Sequence, residues 1–233
     1  MSGTLYGVGV GPGDPELMTL KAHRLIAAAP VIAYPAPDTG ESFARRIAAG
    51  AIPATAEEIA IRIPMRPDRM PAQEIYDTAA ATIAERLGRG LDVVVLCEGD
   101  PFFYGSFMYL WARLARDHPG IVVPGVASIA ACAAAARRPL SARNEALSVL
   151  PGPLDDAALE RRLAEGGAAA IMKVGRHLPR LRALIGRLGL EARAVYVARA
   201  TLGDETVLPL AEAPAEAPYF SMILIHGSDP YAS

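Results

Sequence analysis

The chain alternates short apolar runs with longer stretches in which apolar residues recur every three or four positions. Leu5 to Val10 predicts a first strand, and Met18, Ala22, Leu25, Ile26 and Ala29 then recur at helical spacing, one apolar face over three turns. Asp14 is placed to cap that helix, with Pro15 at its first position, where the missing N–H costs nothing. "VIAYP" (Val31 to Pro35) and "EEIAIRIP" predict two more strands. A second strong helix, "EIYDTAAATIAERLGRG", puts Tyr76, Ala80, Ile83 and Leu87 on one face and ends at Gly88 or Gly90. "LDVVVLCEGDP" carries the unbroken Val-Val-Val-Leu run of a strand covered on both faces. "IVVPGVASIAACAAAA" predicts a strand, a turn and a helix.

After Arg137-Arg138-Pro139 the pattern restarts with "ALSVLPG". Helix Asp155 to Ala164, strand "AAAIMKV", and a helix with Leu178, Leu181, Ile185 and Leu188 in phase follow. Strands "ARAVYVARA", "TVLPL" and "YFSMILIHG" close the chain without intervening helices, which predicts mixed or antiparallel pairing there. The expected fold class is therefore α/β, with two α/β domains over residues 1–140 and 141–233.

Composition narrows the picture slightly. Hydrophobic residues are 52% and aromatics 6%, so the core is built from Ala, Leu, Val and Ile. A net charge of -2 counts against a nucleic-acid partner. Cys97 and Cys132 stand in apolar settings without ligand spacing and read as core residues in a reducing cytoplasm. The four histidines do not cluster, so no metal site is expected. The opening carries no signal-peptide pattern, and no uncharged run is long and apolar enough for a membrane span.

Candidate chemistry centres on "GVGVGPGDPELMT". A dinucleotide fingerprint needs G-x-G-x-x-G and an acidic residue ending the second strand, but Pro12 or Asp14 falls on the last glycine and the strand ends in Tyr34-Pro35. A phosphate loop needs a Lys that is absent at that spacing. Gly-Asp-Pro, however, occurs twice, at Gly13-Asp14-Pro15 and Gly99-Asp100-Pro101, each after a strand and each able to start a helix. Pro124 to Ser128 repeats the strand-to-turn-to-helix setting. Three such turns at the carboxyl ends of parallel strands point to one composite pocket.

"GVGVGPGDPELMTLKA", "CEGDPFFYGSFMYL" and "VPGVASIAACAAA" resemble, in order and spacing, the tetrapyrrole methylases, which use S-adenosylmethionine in cobalamin and sirohaem biosynthesis. "AIMKVGRHL" and "YFSMILIHG" fit as well, so the resemblance covers essentially the whole chain. "GDPFFYGSFMYL" with "VIAYP" looks most like the precorrin-2 C20-methyltransferase branch, with precorrin-2 or its cobalt form as the implied substrate. The resemblance implies a homodimer with the cofactor in a cleft between two α/β domains, and a tetrapyrrole as substrate, to set beside the cytoplasmic location expected from the cysteines and the lack of a leader pattern. It implies cofactor contacts from Pro12, Gly99, Asp100, Phe103, Ala127 and Ser128, and from Met172, Ser221 and Met222 of the second domain. The uroporphyrinogen-methylating branch carries an acidic residue after the tyrosine where Pro35 stands here, which counts against that substrate.

The implied reaction moves a methyl from sulfonium to an electron-rich ring carbon, so alignment is the main demand on the protein. A proton must also leave, and Tyr104 and Glu98 are the candidates for polarising or accepting it; a packing tyrosine and a turn-capping carboxylate are the other readings. Arg62 and Arg66, in a proline-rich segment after a strand, are the candidates for the substrate's carboxylates, and Arg137-Arg138 lie at the domain junction. Other activities of the superfamily, on another corrin position, a diphthamide precursor or rRNA, and a binding module without turnover, are the competing readings.

Overall fold

A computed structural model describes residues 2–63 and 70–227, without the side chains of Met70, Pro71 and Ala72. Arg66 and the rest of residues 64–69 lie outside the described part. The chain divides into two compact units after Ala127, ahead of the change of pattern near residue 140.

The first unit runs β1 (Leu5–Gly9), α1 (Leu20–Ala27), β2 (Val31–Pro37), α2 (Phe43–Ala48), β3 (Glu57–Ile63), α3 (Met70–Gly88), β4 (Val93–Cys97), α4 (Phe107–Leu114) and β5 (Gly120–Val123). Its described strands form one parallel sheet in the order β3-β2-β4-β1-β5. All five residues of β4, the central strand, are buried, as its unbroken apolar run requires.

Handedness decides which face each helix covers. The connections β1→β2 and β2→β3 step one way across the sheet, whereas β3→β4 and β4→β5 step the other way. Right-handed crossovers therefore put α1 and α2 on one face and α3 and α4 on the opposite one. Two separate cores bear this out. Ala22, Ile26, Ala44 and Ile47 pack with Val8, Ile32 and Leu96. Tyr76, Ile83, Leu87, Phe107 and Leu110 pack with Leu5, Ala33 and Val95. Tyr76, Ala80, Ile83 and Leu87 are buried on the face their spacing predicted.

Two expected helix starts are displaced. Asp14 does accept a hydrogen bond, from the Glu16 amide at 2.8 Å, but it opens only a single 3-10 turn, Pro15–Leu17. The α-helix begins at Leu20, where Thr19 Oγ1 accepts from the Ala22 amide at 3.1 Å. Asp100-Pro101 likewise opens a turn, and α4 starts at Phe107.

The second unit holds α5 (Ser128–Ala135), β6 (Leu147–Pro151), α6 (Asp156–Ala164), β7 (Ala168–Met172), α7 (Leu178–Arg187), β8 (Ala194–Ala198), β9 (Thr206–Pro209) and β10 (Ser221–Ile225). Its described strands are ordered β6-β7-β10-β8-β9. Only β6 and β7 are parallel; β10 pairs antiparallel with β7 and β8, and β9 with β8, the mixed pairing expected where helices drop out. One core, from Leu159, Leu178, Leu181, Ile185, Tyr196 and Ile223, fills this unit. No helix among the described residues is long and apolar enough to cross a membrane.

Candidate functional site

The sheet order of the first unit marks where a ligand can sit. β1 and β4 are neighbours, yet the chain leaves them in opposite directions, which opens a crevice at their carboxyl ends. Both Gly-Asp-Pro turns stand there, and the β5 turn lies beside them. Backbone bonds close the base of the crevice: Val10 N donates to Cys97 O at 2.9 Å, and Gly99 N donates to Gly11 O at 2.8 Å. Gly11 and Gly99 sit at φ of +86° and +63°, conformations that favour glycine.

The glycines here are a packing device. A Cβ on Gly125 would stand 2.1 Å from Gly99 O and 2.8 Å from Gly9 Cα, and one on Gly9 would stand 2.5 Å from Gly99 O. A Cβ on Gly7 would lie 2.2 Å from the Phe107 ring. The three turns thus touch backbone to backbone. Asp100 fastens them: Oδ1 accepts from Phe102 N at 2.9 Å within its own turn, and Oδ2 accepts from Gly125 N at 3.1 Å in the β5 turn.

Around this base the structure gathers Pro12, Glu98, Gly99, Asp100, Phe103, Tyr104 and Ala127 at one edge of one sheet. Pro12, Phe103 and Ala127 are half-buried, and Gly99 is buried. Tyr104 is exposed, stacks edge-on against Phe103 at 5.3 Å, and holds a left-handed φ of 57°. A tyrosine in that region is uncommon and costs on the order of 1 kcal/mol. Glu98 turns inward instead. Burial raises its carboxyl above the usual carboxylate range, against hydrogen bonds from its own amide and from the Ala44 amide in the first turn of α2. Nothing in the spacing of Ala44 and Glu98 announces that contact.

Arg62 stands apart from this group. At the end of the edge strand β3, its guanidinium donates to Pro37 O at 3.2 Å and lies 3.4 Å from Asp38 O, bracing the turn after β2. Two residues not singled out from sequence, Arg45 and Glu58, form a two-pronged ion pair of 2.5 and 2.8 Å next to Tyr34.

In the second unit, Ser128 opens α5, while Met172, Ser221 and Met222 meet at one end of the sheet. There Met172 ends β7, and β10 begins antiparallel to it. Ser221 Oγ donates to Pro218 O at 2.7 Å and lies 3.4 Å from the Gly175 amide. Lys173 and Arg199, which follow β7 and β8 on either side of β10, both take left-handed φ values, 56° and 53°. Such conformations in non-glycine residues cluster where function demands them.

The family model for tetrapyrrole (corrin/porphyrin) methylases matches residues 4–214. A precorrin-2 C(20)-methyltransferase from a Sinorhizobium species is 41% identical over 234 residues, covering 97% of this chain and 96% of that protein. The cobalt-precorrin-2 C(20)-methyltransferase of Salmonella typhimurium is 29% identical over the full length of both chains. Among solved structures, the cobalt precorrin-4 methyltransferase CbiF matches with a TM-score of 0.74 at 25% identity, covering 96% of this chain and 94% of that one. The uroporphyrin-III C-methyltransferase of Thermus thermophilus, complexed with S-adenosyl homocysteine, matches with a TM-score of 0.70 at 26% identity, covering 96% and 97%.

Proposed function

From the premise that the chain belongs to the tetrapyrrole methylase family, we propose that it methylates C20 of precorrin-2 in cobalamin biosynthesis, with S-adenosylmethionine as methyl donor. The observation that carries this reading is the 41% identity, held over nearly the full length of both chains, to a precorrin-2 C(20)-methyltransferase. Identity to the cobalt-precorrin-2 enzyme is lower, 29%, which favours the metal-free macrocycle as substrate.

S-adenosylmethionine supplies a methyl on a sulfonium, a leaving group that needs no further activation. The residues at the crevice suit such a donor: Pro12, Phe103 and Ala127 offer half-buried apolar surface that fits its adenosyl group. In this reading Pro12, Gly99, Phe103 and Ala127 contact the donor directly. Asp100 acts through Gly125, because both its oxygens are already engaged by backbone amides. Ser128, Met172, Ser221 and Met222 are the contacts contributed by the second unit.

Rigid turns hold the reacting groups in register, and orientation of this kind is worth about 7–11 kcal/mol of barrier in favourable cases. For the departing C20 proton, Tyr104 and Glu98 have different qualifications. Tyr104 is exposed and held in a strained conformation, whereas Glu98 is withdrawn and bonded to the α2 amide. Tyr104 is therefore the better-placed group to polarise the substrate, and Glu98 the residue that fixes the β4 turn against α2. Arg62 and Arg66 remain the proposed carboxylate contacts, Arg62 with part of its donor set already spent on Pro37 and Asp38. A cytoplasmic homodimer is the proposed working form.

Purified protein incubated with S-adenosylmethionine and precorrin-2 tests the reading, with mass spectrometry scoring the gain of one methyl group. Mass gain at C20 is expected; recovery of unmodified precorrin-2 from protein that binds the donor would overturn it.

A further inference from the structure

The second unit carries a pocket at the edge of its sheet opposite Met172, Ser221 and Met222. It lies where β6, β7 and β8 begin and β10 ends, and measures about 1290 Å³. Its wall is basic. Arg137 and Arg138 follow α5, and Arg143 lies in the turn before β6, all three exposed and lining the pocket. Among the described residues none of the three side chains makes a hydrogen bond or ion pair, unlike most arginines of this unit. Arg137 and Arg143 are also held at φ of 52° and 50°, where arginine is uncommon.

The acidic residues of the lining offset these charges only in part. Glu165 pairs at 3.5 Å with Arg162, which is not part of the wall. Glu145 faces the Ala142 amide at 3.4 Å and crowds Gly227, where a Cβ would meet its carboxylate. Arg193 is spent on the carbonyls of His226, at 2.7 Å, and Gly167, at 3.1 Å.

His226 lines the pocket with Nδ1 3.4 Å from Pro139 O, while its buried Nε2 has no partner among the described residues. With Nδ1 donating to that carbonyl and burial lowering the pKa, the neutral ring leaves Nε2 as an acceptor, which an oxyanion cannot satisfy; the arginines alone carry the anion site.

We propose that this pocket is a binding site for a multivalent oxyanion, held by the guanidinium groups of Arg137, Arg138 and Arg143. Planar guanidinium donors match carboxylate and phosphate oxygens in pairs, so the shared ligand chemistry is two or more such groups on one small molecule. The inference does not depend on the methyl-transfer reading, because the residues lie at the other edge of the sheet and the test measures binding alone.

Calorimetry at low ionic strength, with benzene-1,3,5-tricarboxylate and inorganic triphosphate as separate probes, tests it. Saturable binding of at least one probe is expected, and the probe that binds tells a polycarboxylate source from a phosphate one. The triple variant Arg137→Asn/Arg138→Gln/Arg143→Asn, with Asn chosen where φ is positive, is expected to bind at least ten-fold more weakly. The control pair Arg161→Gln/Arg176→Gln, two exposed arginines of the same unit that do not line the pocket, is expected to bind as the parent does. No saturable binding of either probe by the parent, or equal affinity in the parent and the triple variant, would overturn the proposal. Loss in the control pair as large as in the triple variant would do the same, by making the effect one of overall charge.

Discussion

The two carboxylates that flank Gly99, Glu98 and Asp100, have opposite lives. Asp100 accepts two backbone amides and joins the β4 turn to the β5 turn. Removing it in Asp100→Ala leaves the Phe102 and Gly125 amides without their acceptor, a loss of about 1–3 kcal/mol. We expect a lower denaturation midpoint and weaker S-adenosylmethionine binding by calorimetry, with Asp100→Asn between the two because one amide oxygen still accepts. Unchanged donor affinity in the alanine variant would remove Asp100 from the site. Glu98 is the reverse case, a carboxyl pushed above its ordinary range by burial. Its folded form then holds a proton that the unfolded chain has already released. Its contribution to stability is complete below the usual carboxylate range and is lost as pH rises through the folded value. Glu98→Gln keeps an acceptor for Ala44 and removes the charge. Urea unfolding of both proteins across pH should show the parent losing stability relative to the variant above the carboxylate range; parallel curves would mean that Glu98 is not desolvated. Methyl transfer retained in Glu98→Gln and reduced in Tyr104→Phe would separate the fixing role from the polarising one.

At the scale of elements, the glycines of the opening motif matter through what a side chain would strike. Gly125→Ala places a methyl 2.1 Å from a backbone oxygen that cannot swing away, whereas Gly50→Ala meets nothing within 4 Å. The first should destabilise by more than about 3 kcal/mol and the second by less than about 1 kcal/mol, read as denaturant midpoints. Comparable midpoints would show that the three turns do not pack as described. The contrast also explains what was legible in the chain. Strands β1, β2, β4 and β10 announce themselves because burial on two faces forces unbroken apolar runs, and α3 because one buried face forces a period near 3.6. The short helix α2 is not foretold: six residues leave no room for a period, and only Ser42, whose Oγ accepts from Arg45 N at 3.2 Å, marks its start. The Asp-Pro turns were legible as places but not as starts of α-helices, which begin only at Leu20 and Phe107. The contact of Glu98 with Ala44 was invisible, because it is made by strand order rather than by any local spacing.

Over the whole molecule the substrate reading has to explain how a chain of net charge -2 takes up a polycarboxylate. The summed field gives no attraction, so recognition depends on local guanidinium groups and on the shape of the ring. Inserting cobalt replaces protons at the ring centre and leaves the peripheral carboxylates unchanged. Arginine contacts therefore cannot tell the two substrates apart, and discrimination falls to ring shape and the alignment of C20. The greater identity to the metal-free enzyme, 41% against 29% over nearly complete chains, predicts that alignment is better for precorrin-2. We expect kcat/KM for precorrin-2 to exceed that for cobalt-precorrin-2 at least ten-fold, a difference of about 1.4 kcal/mol in the transition state. Because the periphery is shared, the KM values should differ less than the kcat values, and added salt should weaken both substrates alike. Equal kcat/KM values would show that the chain does not discriminate between the two, and a preference for the cobalt form would assign it to that substrate, either outcome leaving the methyl-transfer chemistry intact.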